Sequence, residues 1–157
     1  MNTDFEKLRA AIVAQLPHKE TLIHGPAHWA RVELIGLRLA EKSGADPLVM
    51  RLFALFHDSQ RQNDSLDPEH GARGAQLAAA FRSKWFEAGD RQFQQLHEAC
   101  ALHTDGLLSP DATIGTCWDA DRLDLARIGM MPDLRFLSTA AARDSEIFQW
   151  ALCLRRE

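Results

Sequence analysis

The sequence predicts an all-α protein folded as one compact helical bundle, and three observations support this fold class. Apolar residues recur at helical spacing along most of the chain, and residues typical of helix ends separate these segments. The chain has few β-branched residues and no run in which apolar and polar residues alternate, so a β-sheet is not expected. At 157 residues it is long enough for one hydrophobic core, and we expect a single domain over residues 1–157.

Helix start and stop signals divide the chain into its predicted elements. Pro26 is typical of a first helical turn, where its missing N–H is not needed, and Pro17 and Gly106 are typical of positions just beyond a helix. The predicted helices cover about residues 4–16, 26–43, 47–56, 69–85, 90–103 and 112–125, and two more begin near residues 132 and 144. The longest irregular stretch, residues 59–68, is polar, and such loops commonly contact substrate.

Composition and charge limit the class of protein. The formal net charge is −4, so no basic field is present to recruit nucleic acid, which is not expected as a partner. The N-terminal segment is polar and no apolar run approaches the length of a membrane span, so we expect neither a signal peptide nor membrane insertion. Cys100, Cys117 and Cys153 are odd in number and far apart, which argues against disulfides and favours a cytoplasmic location.

The adjacent pair His57-Asp58 ends the apolar run at residues 52–56 and is the first candidate functional feature. A buried carboxylate beside an imidazole is costly unless a cation compensates both groups. Imidazole nitrogen and carboxylate oxygen are suitable donors for zinc, iron or manganese. The pair by itself predicts a metal site or an ordinary hydrogen-bonded histidine, and further ligands elsewhere must decide.

Five predicted helices each direct a metal-competent side chain towards the core. These side chains continue the apolar stripes of their helices, because residues three, four or seven positions apart share a helix face. They are His28, His57, His70, His103 and Asp121. Any one histidine could be an ordinary core residue, but a buried aspartate requires a partner. One shared metal centre satisfies all of these groups together, and we therefore expect them to converge.

Two nearby residues compete with these candidates. His24 precedes Pro26, so we expect it outside the helix and out of register with His28, in a capping position or at the rim of the site. Asp119 competes with Asp121 for the last ligand position. We favour Asp121 because it continues the apolar stripe of its own helix.

The ordered set of residues resembles the HD-domain metal-dependent phosphohydrolases, whose pattern is H…HD…D. The first histidine of that family lies in an HxxRV segment, which matches residues 28–32, and the last aspartate lies in an ADRL-type segment, which matches residues 120–123. The resemblance covers about residues 22–125, and the predicted C-terminal helices over residues 133–157 would pack on this part. The chain also resembles the subgroup with two further histidines between HD and the last aspartate, here His70 and His103.

The resemblance implies a bundle of the HD-domain type and a specific assignment of ligands. One divalent ion would be held by His28, His57, Asp58 and Asp121, and a second, bridged through Asp58, would be held by His70 and His103. His57 and Asp58 would form the catalytic pair. The ions would be one or two of iron, manganese or zinc, and their identity stays open.

The expected function is hydrolysis of a nucleotide or another small phosphorylated metabolite by metal-activated water. Arg61 and Arg73 are candidate phosphate contacts, although either could simply be an exposed, solubilising charge. Residues 59–61 replace the Ile-Gly and nearby lysine that many family members carry after HD.

The alternatives are a di-iron oxygenase built on the same ligands and a non-catalytic module that binds metal or nucleotide. The apolar face of the last helix is expected either to close the core or to form a homodimer contact.

Overall fold

The computed structural model describes residues 2–17 and 23–154, and this part of the chain is all-helical. It contains no strand, and one isolated bridge pairs Arg82 with Phe86. The α-helices are α1 (Phe5–Val13), α2 (Pro26–Ser43), α3 (Pro47–Phe56), α4 (His70–Phe81), α5 (Asp90–Leu102), α6 (Ala112–Leu123), α7 (Ala140–Arg143) and α8 (Ser145–Cys153). Short 3-10 helices cover Asp124–Ile128 and Leu134–Phe136. The predicted all-α fold class is confirmed.

The ends of the central helices follow the local signals in the sequence. α2 begins at Pro26 and is followed by Gly44, whose φ of 76° lies in the left-handed region that favours glycine. α3 begins after Asp46, whose carboxylate accepts hydrogen bonds from the backbone N–H groups of Leu48 and Val49. These caps fix where α2 ends and α3 starts, and the two helices pack against each other.

α4 is shorter than the sequence predicts, since it ends at Phe81 and not near Trp85. After Phe81 the chain turns through Ser83, whose φ is 64°, and the Ser83 N–H donates to the carbonyl of Phe86 at 2.8 Å. The turn inserts Phe86 into the core, where its ring lies 5.7 Å from that of Phe56. Burying this aromatic ring favours the turn over a further helical turn.

The hydrophobic core lies between helices α2 to α6 and encloses several polar side chains. α2 packs against α3 and α6, α3 packs against α5, and α4 packs against α5. The buried polar residues on these helices and at their ends include His28, His57, Asp58, His70 and His103. Buried polar groups require partners, and these residues lie close enough to be partners of one another or of a shared ligand. Their common location is therefore the candidate site.

The cysteines and the C-terminal helix complete the fold. All three cysteines are free, as the sequence predicts. Among the described residues, no helix is both long and apolar enough to cross a membrane. In α8, Ile147 and Ala151 are buried, and Trp150 lies under the guanidinium group of Arg38 at 4.2 Å. This face therefore contributes to closing the core, while a homodimer contact stays a prediction and residues 155–157 lie outside the described part.

Candidate metal centre

The structure brings the six sequence-predicted ligands together from five helical segments. His28 lies in the first turn of α2, His57 directly follows α3, and His70 is the first residue of α4. His103 directly follows α5, and Asp121 lies in the last turn of α6. Since each side chain is at or near the end of a helix, the helices can stay apolar along their length and still meet at one polar point.

The first ligand group consists of His28, His57 and Asp121. The Nε2 atoms of His28 and His57 are 3.1 Å apart. Oδ1 of Asp121 lies 3.2 Å from Nε2 of His28 and 3.6 Å from Nε2 of His57. Donors at ~2.1 Å from one ion in tetrahedral arrangement would lie about 3.4 Å from each other, so the observed separations suit a shared ion.

The second ligand group consists of Asp58, His70 and His103. The Nε2 atoms of His70 and His103 are 2.9 Å apart. Oδ1 of Asp58 lies 3.1 Å from Nε2 of His70 and 3.5 Å from Nε2 of His103. All three residues are buried, so their donor atoms are held away from bulk water.

Asp58 connects the two groups through its two carboxylate oxygens. While Oδ1 faces the second group, Oδ2 lies 3.3 Å from Nε2 of His28 and 3.5 Å from Nε2 of His57. Each oxygen thus faces one histidine pair. This is the arrangement expected of a carboxylate that bridges two cations.

The hydrogen bonds made by the other ring nitrogens show that the donor set fits a metal ion. The Nδ1 atom of each of the four ligand histidines faces an acceptor. For His28 the acceptor is a carboxylate oxygen of Asp124. For the other three it is a backbone carbonyl: Phe53 and Ala54 for His57, Asp67 for His70, and Cys100 for His103. In a neutral imidazole the proton then lies on Nδ1 and the lone pair on Nε2. Two lone pairs facing each other at about 3 Å repel unless a cation lies between them.

Burial and ion pairing together set the protonation of the site without metal. Burial by itself lowers the pKa of His28, but hydrogen bonds to Asp121, Asp124 and Asp58 outweigh it and raise the pKa to about 10. Burial tends to raise the pKa of the Asp58 and Asp121 carboxyl groups, yet the surrounding imidazoles hold both pKa values well below the ordinary range. The centre thus keeps its carboxylates charged and attracts a positive charge, from protons or from metal.

Asp124 is a residue of the candidate centre that the sequence did not predict. Its Oδ2 atom lies 2.7 Å from Nδ1 of His28, and Nε of Arg31 donates to both of its oxygens at 2.9 and 3.2 Å. A carboxylate bonded to the distal nitrogen of a metal-ligating histidine orients the ring and raises its basicity. Its position three residues after Asp121 could have suggested that the two share a helix face. Asp124 lies, however, in the 3-10 helix that follows α6, where the α-helical period no longer applies.

His24 lies at the rim of the centre. Its Nδ1 atom is 3.0 Å from Oδ2 of Asp58 and 3.4 Å from Nη2 of Arg127. Its backbone carbonyl accepts a hydrogen bond from the indole of Trp29 at 2.8 Å, which fixes the segment before α2. With His28 and Asp58 it forms a third group whose ligand atoms lie close enough to share an ion.

Asp119 and Asp121 face different parts of the molecule. The Asp119 carboxylate accepts hydrogen bonds from the backbone N–H groups of Ser138 and Thr139 at 2.6 and 2.8 Å, and from the Thr139 hydroxyl at 2.7 Å. It therefore fixes the segment before α7. Burial raises its pKa, although these hydrogen bonds oppose the rise. Of the two aspartates, Asp121 is the one placed beside the histidines.

The two predicted phosphate contacts lie in or beside the loop after α3. Nε of Arg61 is 3.5 Å from Oδ1 of Asp58, is buried, and has no hydrogen-bond acceptor among the described residues. Arg73 donates to both carboxylate oxygens of Asp67 at 2.6 and 2.7 Å and to the Gln60 carbonyl at 3.1 Å. Contact with a phosphate stays a prediction for both, and Arg73 would have to give up its ion pair to make one.

Comparison of the chain with protein-family models, with curated proteins and with solved structures found no match. The class of the protein therefore rests on its fold and its site. It is an all-α protein with a buried cluster of imidazole and carboxylate groups that could hold divalent metal ions.

Proposed function

We propose that the protein is a metal-dependent phosphohydrolase that acts on a nucleotide or another small phosphorylated metabolite. One observation carries the proposal: the two oxygens of Asp58 face two separate histidine pairs. Pairs of divalent ions held about 3.5–4 Å apart are common in enzymes that cleave phosphate esters. The resemblance of the ordered residues to HD-domain phosphohydrolases points to the same chemistry.

The six ligands would hold the ions, and the surrounding residues would position the ligand side chains. Divalent ions bound here would activate water as a nucleophile at neutral pH and polarise phosphoryl oxygens. Asp58 and Asp121 would supply the negative charge that balances the cations. Asp124 holds the ring of His28 in the orientation that directs Nε2 into the centre.

Arg61 is the residue best placed to contact the phosphate. Its Nε–H group is buried beside Asp58 without an acceptor, and a buried donor without a partner is costly. A phosphate oxygen would supply that acceptor and would form a charge-assisted hydrogen bond. Arg127 lies beside His24, with 3.4 Å between its Nη2 atom and Nδ1 of His24, and adds a second positive charge near the centre.

The proposal is tested by loading the purified protein with manganese, iron or zinc in turn and measuring phosphate release from a panel of nucleotides, sugar phosphates, and aryl and alkyl phosphates. We expect release with at least one metal. We also expect loss of both metal and activity in His57→Ala, with helical content followed by circular dichroism. His97→Ala is the matched control, because His97 is exposed and does not belong to any of the ligand groups.

The same preparations separate the alternatives. Oxygen consumption by the iron-loaded protein, without phosphate release, would favour a di-iron oxygenase that uses the same ligands. Tight nucleotide binding with no turnover by any metal form would favour a non-catalytic module. Absence of metal binding by the wild-type protein would contradict both the hydrolase and the oxygenase.

A further inference from the structure

The segment after α5 and the segment after α6 form the walls of an apolar cleft. Its volume is about 320 Å³, at the lower end of the ~300–1,000 Å³ typical of small-molecule sites. Its apolar lining residues are Leu107, Leu125, Met130, Met131 and Phe136. Most of them are strongly exposed, with Leu107 at 69% and Met131 at 71%. Exposed apolar side chains gathered around one concavity are typical of a binding surface.

The charged residues of the cleft are already engaged with protein partners. Nη1 of Arg122 donates to the carbonyls of Leu107 and Phe136 at 2.6 and 2.7 Å, and Nη2 donates to the carbonyl of Gly106. Asp133 pairs with Arg135, at 2.7 Å between Oδ2 and Nη2. Arg122 thus holds the two walls together, and a polar ligand would have to compete with these protein partners for either charged group.

The cleft borders the candidate metal centre. Thr104 lines the cleft, and its Oγ1 atom lies 3.5 Å from Nε2 of His70. On the opposite wall, Arg122 and Leu125 directly follow Asp121 and Asp124 in the chain. A ligand at the metal centre would therefore have the cleft beside it, next to Thr104.

We propose that this cleft binds the apolar organic group of the phosphoester substrate, while its phosphate lies at the metal centre. The inference rests on the proposed function and narrows its substrate class to phosphoesters of an aromatic or aliphatic alcohol. A sugar or a second phosphate in the cleft would lose its hydration and would have to displace protein partners to contact either charged group. An apolar group would gain contact with the lining side chains and lose unfavourable exposure to water.

The first test detects the apolar site without depending on metal or turnover. The chain has four methionines, of which two line the cleft and Met50 is buried in the core. With ¹³C-methyl-labelled methionine, we expect 2-naphthol to shift the methyl signals of Met130 and Met131 and to leave that of Met50 unchanged. Unchanged signals from both cleft methionines would overturn the proposal.

The second test measures the linkage between the cleft and the metal centre. We expect zinc-loaded protein to bind naphthylmethylphosphonate about 10-fold or more tightly than methylphosphonate, because the ring is buried in the cleft. The double variant Met130→Gln and Met131→Gln should reduce this ratio several-fold. Leu34→Gln, an exposed position on α2 outside the cleft, should preserve it. Equal affinities, or a ratio that the cleft variants do not change, would overturn the proposal.

These measurements also separate failure of this inference from failure of the proposed function. Phosphate release that shows no preference for apolar esters would overturn the cleft assignment and leave the hydrolase intact. Binding of naphthylmethylphosphonate with the expected ratio, but no release from any ester, would overturn hydrolysis and support the cleft as a binding site. Tighter binding of a nucleoside phosphonate than of the naphthyl compound would overturn the apolar substrate class.

Discussion

At the scale of single residues, Asp58 differs from Asp121 in the number of histidine pairs that it contacts. Asp58 faces both pairs, whereas Asp121 faces only His28 and His57. We therefore expect Asp58→Asn to lose both ions and Asp121→Asn to retain the ion held with His70 and His103. Elemental analysis after dialysis measures the metal content per chain. Retention of full metal content by Asp58→Asn would contradict the bridging assignment.

Asp124 affects the metal through His28 and makes a second prediction at this scale. Asp124→Asn replaces a carboxylate that accepts from His28 with an amide that accepts less strongly and leaves Arg31 without its ion pair. We expect metal affinity to fall about 10–100-fold, which is the usual effect of removing such a partner. Competition with a chelator of known affinity measures the change. Asp90→Asn, which removes an exposed pair with Arg82, should not alter it.

The single-residue comparison shows which ligands a sequence can reveal. His28 and His70 could be predicted because a polar side chain at an inward position of an apolar stripe is conspicuous. Asp124 could not, because the helical period does not continue through the 3-10 helix in which it lies. His24 could be placed at the rim, but its contact with Asp58 depends on how two distant segments meet.

At the scale of elements, the close approach of α4 to α5 brings His70 beside His103. A Cβ atom at Gly71 would lie 2.4 Å from the backbone carbonyl oxygen of Cys100 and 3.2 Å from Nδ1 of His103. We expect Gly71→Ala to push the helices apart, destabilise the fold by about 1–3 kcal/mol, and weaken the second metal group. Urea unfolding and metal content per chain measure the two effects.

Gly89→Ala is the control for this prediction. A Cβ atom there would meet only the side-chain oxygen of Gln92, at an ordinary distance of 3.5 Å. We expect little change in stability and none in metal content. If both glycine variants behaved alike, the proximity of α4 and α5 would not be what positions the histidines.

The end of a helix could be predicted from the sequence where a local residue determines it. It could not be predicted where packing against the core determines it. Pro26 and Gly44 act through their own backbone preferences, and α2 has the predicted bounds. The end of α4 at Phe81 depends instead on the burial of Phe86 against the core. No local signal in the sequence reports that burial.

At the scale of the whole molecule, the candidate metal centre joins segments that are distant in sequence. His28 and Asp121 are 93 positions apart, yet their donor atoms are 3.2 Å apart. In the unfolded chain these donors would be scattered, so an ion that binds all of them binds only the folded state. The free energy of binding therefore adds to the free energy of unfolding.

Metal should consequently stabilise the protein in a concentration-dependent way. At a free metal concentration 100-fold above Kd, we expect the free energy of unfolding to rise by about 2.7 kcal/mol. For a chain of this size that corresponds to an increase in Tm of roughly 5–10 °C. Differential scanning calorimetry across a metal titration, with a chelator as reference, measures it. Asp121→Asn should show a smaller rise and His97→Ala the full rise, whereas an equal rise in wild type and Asp121→Asn would mean that metal stabilises the fold from another site.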